Sequence, residues 1–322
     1  MSIEAALRGV QVVEVATYLP GPACTRLLAS LGARVTKVVR PGGDPLRRLS
    51  PLHAAYAALN AGKGEVELDL KRPEDAETFR TLARQADVVV DGMRPGALDR
   101  LGVGAAALQA LNPRLIYCAL SGYGLSGPLS HLAGHDLNFV ALSGLLATTT
   151  VGDEPALPGT QLADLVSGLT AATAILAALL ARGDGPGCRI DAPMLGATRW
   201  LMTPWYAVAC AGEQAGGLTG RAACYRAYRT ADGRHLAVAA LEPHFWARFC
   251  EALGRPDLIP RHQDADQQAL ADEIAALIAR RRLEDWLPVF VDLDACVTPA
   301  LTLEEASRDW DGDAGLPCSF YL

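Results

Sequence analysis

His135 and Asp136, set in Ala133-Gly134-His135-Asp136-Leu137-Asn138, are followed by a second acid, Asp164, in Gly159-Thr160-Gln161-Leu162-Ala163-Asp164. Long uncharged, apolar runs come after each acid, so both acids stand where a helix is expected to begin. An imidazole and a carboxylate at two helix mouths can hold one substrate carbon between two proton-transfer groups. Histidine titrates nearest neutral pH, and a carboxylate joins it once burial raises its pKa towards the working range. That pairing suits inversion at an acidic carbon. It also suits acyl transfer, with the carboxylate as nucleophile. A plainer origin for Asp136 and Asp164 is helix capping, since aspartate ahead of an apolar helix is a good N-cap by itself.

The elements that would carry these residues follow from the pattern of the first 120 positions. Val10–Val15, Arg34–Val39, Ala86–Asp91 and Leu115–Leu120 are short β-branched runs, and Glu65–Leu70 alternates. Between them lie helical stretches at Ala23–Leu31, Glu74–Gln85 and Gly102–Leu111. Strands alternating with helices predict an α/β fold with a doubly wound parallel sheet. No G-x-G-x-x-G follows the first strand, where the loop is Leu19-Pro20-Gly21-Pro22-Ala23, so a nicotinamide or flavin dinucleotide is not expected. Arg40 and Arg94 fall just past the C-terminal ends of their strands, where open parallel sheets collect ligands; loop salt bridges would also account for them.

From about residue 187 the texture changes. Gly187–Ala192 is strand-like, and a helix is expected over Leu195–Ala211. A glycine-rich break follows at Gly212–Gly220, and then a β-hairpin about Asp232-Gly233. Amphipathic helices at His244–Leu253, Gln267–Ala279 and Leu283–Asp292 complete a smaller α+β domain. The expected division is a large domain over 1–190, a connection over 191–225, the small domain over 226–305 and a C-terminal segment over 306–322.

The chain has 322 residues, half of them hydrophobic, and a net charge of -7. That charge argues against nucleic acid as a partner while leaving room for a local basic patch. Eight cysteines are scattered without zinc-ligand spacing. Most of them read as buried free thiols, and Cys296 as a core residue. With no signal-like segment ahead of the first strand, the expected compartment is the reducing cytosol. The apolar runs Leu137–Gly152 and Leu165–Ala181 are read as buried core helices, not membrane spans.

Several separated segments resemble the family III CoA-transferases (CaiB/BaiF type): Val38-Val39-Arg40-Pro41, Arg94-Pro95-Gly96, Leu120-Ser121-Gly122-Tyr123-Gly124-Leu125-Ser126-Gly127-Pro128 and Gly185-Pro186-Gly187-Cys188-Arg189-Ile190-Asp191-Ala192. Within that superfamily, Gly134-His135-Asp136-Leu137-Asn138, Leu241-Glu242-Pro243-His244-Phe245 and Asp294-Ala295-Cys296-Val297-Thr298-Pro299 resemble the α-methylacyl-CoA racemase branch. The resemblance spans about residues 7 to 305. It implies an interlocked homodimer with a Rossmann-like large domain, acting on CoA thioesters, with no metal or redox cofactor. It further implies that His135 and Asp164 are the acid–base pair and that Glu242 supports the histidine. Arg40 and Arg94 would contact the nucleotide end of CoA, with Asp136 and Tyr123 also at the bound thioester.

Two rivals share these residues: CoA transfer between carboxylic acids through Asp164 as nucleophile, and a non-catalytic CoA-ester binder. The chain departs from the racemase pattern in three places. Cys224-Tyr225 replaces a tyrosine pair, Leu165-Val166-Ser167 replaces glycines after the aspartate, and the segment after Pro299 is short. These imply a differently shaped acyl pocket and a shortened C-terminal return.

Overall fold

The structure is a computed structural model and describes residues 5–49, 52–151, 154–213, 217–310 and 312. The chain divides into two compact units, the first holding the described residues through Thr203 and the second those from Pro204 to Trp310. The first holds, in order, β1 (Gln11–Val15), α1 (Pro20–Ser30), β2 (Arg34–Val39), α2 (His53–Asn60), β3 (Gly64–Glu67), α3 (Pro73–Gln85) and β4 (Val88–Asp91). It continues through α4 (Ala97–Arg100), α5 (Ala105–Leu111), β5 (Ile116–Ser121), α6 (Asp136–Leu142), the two-residue strands β6 (Thr150–Val151) and β7 (Glu154–Pro155), α7 (Leu162–Arg182), β8 (Arg189–Pro193) and α8 (Met194–Leu201).

Six strands form one sheet in the order β3-β2-β1-β4-β5-β8, and every pair in it is parallel. Strands of such a sheet are covered on both faces, which is why β1, β4 and β5 are nearly continuous apolar runs. Val13, Val15 and Val89 enter one core with Phe79 and Leu108. Val12, Val88 and Val90 enter the other, with Leu28, Ala171 and Ile175. The strand order reverses between β1 and β4. In an open α/β sheet the crevice beyond the carboxyl ends of the strands at such a switch point is the favoured ligand position.

Two close approaches shape that crevice. A Cβ on Gly92, after β4, would lie 2.7 Å from Cβ of Ala16, after β1. The two loops meet because residue 92 is glycine. A Cβ on Gly168 would lie 2.8 Å from the Pro20 carbonyl oxygen and 3.1 Å from the Cys24 nitrogen. Glycine there lets α7 lie directly on the start of α1. Asp164 is one turn earlier on the same face of α7, so this contact brings its carboxyl towards the β1–α1 loop.

Beneath that loop is a cluster of buried charge. Lys37 Nζ donates to Glu14 Oε1 (2.5 Å) and to the Ala16 carbonyl (2.8 Å), and lies 3.3 Å from Asp44 Oδ2. Lys63 Nζ donates to Glu14 Oε2 (2.9 Å) and to the Pro22 carbonyl (3.0 Å). Burial alone would push the Glu14 carboxyl up; the ammonium groups of Lys63 and Lys37, with hydrogen bonds from Lys37 and Thr25, hold it below its ordinary value.

The second unit holds α9 (Thr203–Cys210, its first residue shared with the first unit), β9 (Tyr225–Arg229), β10 (His235–Ala239), α10 (Pro243–Ala252), α11 (Gln267–Ile278), α12 (Leu283–Phe290), β11 (Val297–Pro299) and α13 (Leu303–Ala306). Its antiparallel sheet has the order β11-β10-β9. The sheet packs with the helices around Tyr228, Leu236, Trp246, Phe249, Ile274 and Trp286.

Several expectations are corrected. The helix expected over Leu195–Ala211 is two helices, broken at Met202. Pro204 explains the break, because its ring clashes with the carbonyl four residues back and it has no N–H to donate. The large unit runs past residue 190, since β8 pairs with β5 along Tyr117–Ser121. Among the described residues of the run Leu137–Gly152, α6 stops at Leu142, Gly144 turns the chain at φ +75, and the only helix that follows is a short 3-10 helix, Leu145–Ala147. Helix α7 is long and apolar enough to cross a membrane by length and composition. It buries Ala163, Ser167, Gly168, Ala171, Ala172 and Ile175 and leaves Leu165, Leu169 and Leu180 exposed. It is therefore a half-buried helix and not a wholly buried one. Cys296 is exposed at φ +53, because the alternation into β11 sends Ala295 and Val297 to the core instead. Cys188 and Cys210 are exposed too. Cys318 and most of the C-terminal segment after Trp310 lie outside the described residues.

Candidate active site

A cavity of about 640 Å³ opens at the switch point of the first unit. The loop after β1 contributes Ala16, Thr17 and Tyr18, and the loop after β4 contributes Gly92, Met93 and Arg94. His135 and Asp136 enter from the start of α6, and Asp164 from the start of α7. His135, Asp136, Asp164, Arg94 and Tyr123 thus line one cavity.

The local geometry departs from simple capping. His135, not Asp136, is the N-cap of α6, and its backbone N–H donates to Asn138 Oδ1 at 3.0 Å. Asp136 is the first helical residue. Gln161 caps α7, so Asp164 sits in its first turn. The Asp164 backbone N–H donates to Asp136 Oδ1 at 3.0 Å, joining the two helix starts. Asp136 therefore caps the start of α7 and not its own helix, whereas the Asp164 carboxyl caps neither helix.

Burial, with the Asp136 charge adding to it, pushes the Asp164 carboxyl from 3.8 up to about 7. An acid in that range is populated in both protonation states near neutral pH, the condition for efficient general acid–base work. The exposed imidazole of His135 meets the ring of Tyr18 edge-on, with centroids 6.3 Å apart and planes at 88°.

Tyr123 comes from the turn after β5, where Ser121 Oγ accepts the Gly124 N–H at 3.1 Å. Its ring packs on Phe139 of α6 at 5.1 Å. A Cβ on Gly134 would lie 2.6 Å from Tyr123 Oη and 2.9 Å from the Phe139 ring. The glycine before His135 is therefore a packing requirement of this corner.

Arg94 follows Asp91, whose carboxylate accepts the Met93 N–H (2.8 Å) and the Tyr117 hydroxyl (2.6 Å). Burial pushes the Asp91 carboxyl up to about 6, against the pull of those two hydrogen bonds. Arg40 lines a second cavity of about 410 Å³ with Arg48, Gly42 and Gly43; Tyr18 and Leu49 line both cavities. Among the described residues neither Arg40 nor Arg94 forms an ion pair, so the loop salt bridges that would have explained them are not there. Glu242 belongs to the second unit, exposed at the N-cap of α10.

The sequence profile of CoA-transferase family III matches residues 7–314. The chain belongs to this family. It is 39% identical over 314 residues to the alpha-methylacyl-CoA racemase of Homo sapiens, across 93% of this chain and 79% of that protein. It is 31% identical over 319 residues to the acetyl-CoA:oxalate CoA-transferase of Acetobacter aceti, across 93% of this chain and 82% of that protein. The crystal structure of a CaiB/BaiF family protein from Brucella suis superposes with a TM-score of 0.83 at 28% identity, covering 98% of this chain and 92% of that one. Family III members, racemases and transferases alike, are enzymes, and this chain is one of them.

Three features of the family III site were not foreseen. Tyr18 sits in a left-handed conformation, which no side-chain pattern announces. The Glu14–Lys37–Lys63 cluster was hidden because its three members are far apart in the chain or lie in different elements, Glu14 in β1, Lys37 in β2 and Lys63 just before β3. Asp91 was read only as the end of a strand; an acid closing a buried strand just before an arginine loop was the available signal.

Proposed function

We propose that this chain is a 2-methylacyl-CoA racemase that moves the α-proton of a CoA thioester between His135 and Asp164. One group takes the α-proton to leave an enolate, and the other returns a proton to the opposite face. The pair carries a single transferable proton: neutral imidazole with protonated carboxyl serves one enantiomer, and imidazolium with carboxylate serves the other. The Asp136 backbone N–H, in the first turn of α6, donates to the thioester oxygen as it becomes an enolate. A carboxylate accepting the imidazole N–H fixes its tautomer, the role that the racemase resemblance gives to Glu242, and the enzyme acts as a homodimer. Arg40 and Arg94 bind the phosphates of the substrate's CoA as unpaired cations, with Tyr123 beside the thioester. No cofactor beyond that CoA takes part, and the enzyme works in the cytosol.

The observation that carries this reading is the meeting of His135 and Asp164 in one cavity, with the carboxyl raised to about 7. CoA transfer through Asp164 is the second reading, favoured by the 31% identity to acetyl-CoA:oxalate CoA-transferase. A nucleophilic carboxylate must be ionised, however, and has no use for an opposing imidazole. The test is His135→Ala. Inversion is expected to fall by roughly 10²–10⁴-fold with CoA-ester binding retained; unchanged inversion would remove the assignment.

A further inference from the structure

We propose that Tyr18 is a positioning residue, whose ring sets the orientation of the His135 imidazole and divides the thioester cavity from the arginine-lined one. This rests on the reading that His135 is an acid–base group. Only two non-glycine residues among those described have positive φ, and Tyr18, at +64, is one. That region disfavours a side chain with a Cβ and is adopted without strain by glycine. A tyrosine held there marks a place where the ring is worth its strain.

The surroundings enforce the conformation from both sides. Ala16, two residues before Tyr18, gives its carbonyl to Lys37 Nζ at 2.8 Å. Pro22, four residues after, gives its carbonyl to Lys63 Nζ at 3.0 Å. Both lysines are anchored on the buried Glu14 carboxylate. The methyl of Ala16 is itself wedged: Cβ atoms built on Gly21 and Gly92 would lie 2.2 and 2.7 Å from it. Glu14, Lys37 and Lys63 therefore hold rigid a loop whose exposed product is one aromatic ring.

That ring adds little to the core, being 41% exposed. Its aromatic contact is the His135 imidazole, edge-on at 6.3 Å. The backbone of His135 is fixed by Asn138 Oδ1, but this leaves χ1 and χ2 free; a neighbouring ring restricts them. Tyr18 also lines both cavities, so a substrate lying in both must pass it.

The experiment uses α-proton exchange of a 2-methylacyl-CoA in heavy water, with thermal stability and the His135 Hε1 resonance, assigned by its loss in His135→Ala. Tyr18→Gly should keep or raise the melting temperature, because glycine relieves the strained φ. It should lower kcat by about 10–100-fold, the loss expected for a misplaced proton-transfer group, and shift Hε1 by removing the ring current. Tyr18→Phe should restore kcat to within about twofold of wild type, because the ring and not the hydroxyl is used. Tyr18→Asn also accepts the left-handed region and repeats the ring deletion if glycine loosens the loop. Wild-type kcat in both ring-deleted variants would overturn the proposal, as would a Tyr18→Phe enzyme as impaired as Tyr18→Gly. Inversion that survives His135→Ala would instead overturn the acid–base reading of His135, and this inference with it.

Discussion

Asp164→Asn separates the two consequences of a buried carboxyl. Asp164 is raised from 3.8 to about 7, roughly 3 units, which at about 1.4 kcal/mol per unit is about 4 kcal/mol of disfavoured ionisation. The native state keeps the proton between about pH 4 and pH 7 while the unfolded chain has lost it. By linkage, wild-type stability falls as pH rises through that window and the loss is complete above it. Below pH 4 both states are protonated and nothing is lost. Water in the open cavity screens part of the effect, so about 1–2 kcal/mol should survive at pH 8. The asparagine variant lacks this slope. It should therefore be more stable than wild type at pH 8, by that amount, and equal to it near pH 4, while losing inversion of the substrate. Chemical denaturation followed by circular dichroism at the two pH values is the assay. A gap of the same size at both pH values, or no gain at pH 8, would refute the raised carboxyl and with it the assignment of Asp164 as an acid near neutrality.

Other perturbations test the surrounding construction. Arg40→Ala and Arg94→Ala should each raise KM for the CoA ester by roughly 10–100-fold, the loss of one charged hydrogen bond, with kcat nearly unchanged; steady-state kinetics would reveal a fall in kcat instead. Gly134→Ala should cost about 1–3 kcal/mol by overpacking against Tyr123 and Phe139, read as a lower denaturation midpoint with reduced turnover. Glu14→Gln strands two buried ammonium groups and should destabilise the first unit by about 3–5 kcal/mol; a near-neutral midpoint would show that the cluster does not hold the loop.

Much of this fold is legible in the chain. The runs at 10–15, 34–39, 86–91 and 115–120 became strands of a parallel sheet because short apolar runs between turns, most of them rich in valine, have no better place than a doubly covered interior. His135 and Asp164 were legible as a pair from residue type and from the helices expected after them. What linear pattern did not carry was conformation and cross-chain electrostatics. Tyr18 takes a backbone region that its own side chain disfavours, and its loop is held by Lys37 and Lys63, distant in sequence, on the Glu14 carboxylate. Lys37 sits in a strand where a single charge looks like an edge to water, yet it is buried against Glu14. The break at Pro204 was written in the sequence, and the apolar run through it outweighed the signal. Helix α7 read as buried throughout because it is apolar all round; its exposed leucines record that hydrophobicity alone does not say which face is covered.

The central claim is that this site removes and returns a proton α to a thioester. Its most direct test is proton NMR of a single enantiomer of a 2-methylacyl-CoA in heavy water, with enzyme present and no acceptor acid. Loss of the α-proton signal and collapse of the methyl doublet are expected, with inversion to the other enantiomer abolished by either His135→Ala or Asp164→Asn. A persistent α-proton, together with CoA transfer once a free carboxylic acid is added, would contradict it and make Asp164 a nucleophile.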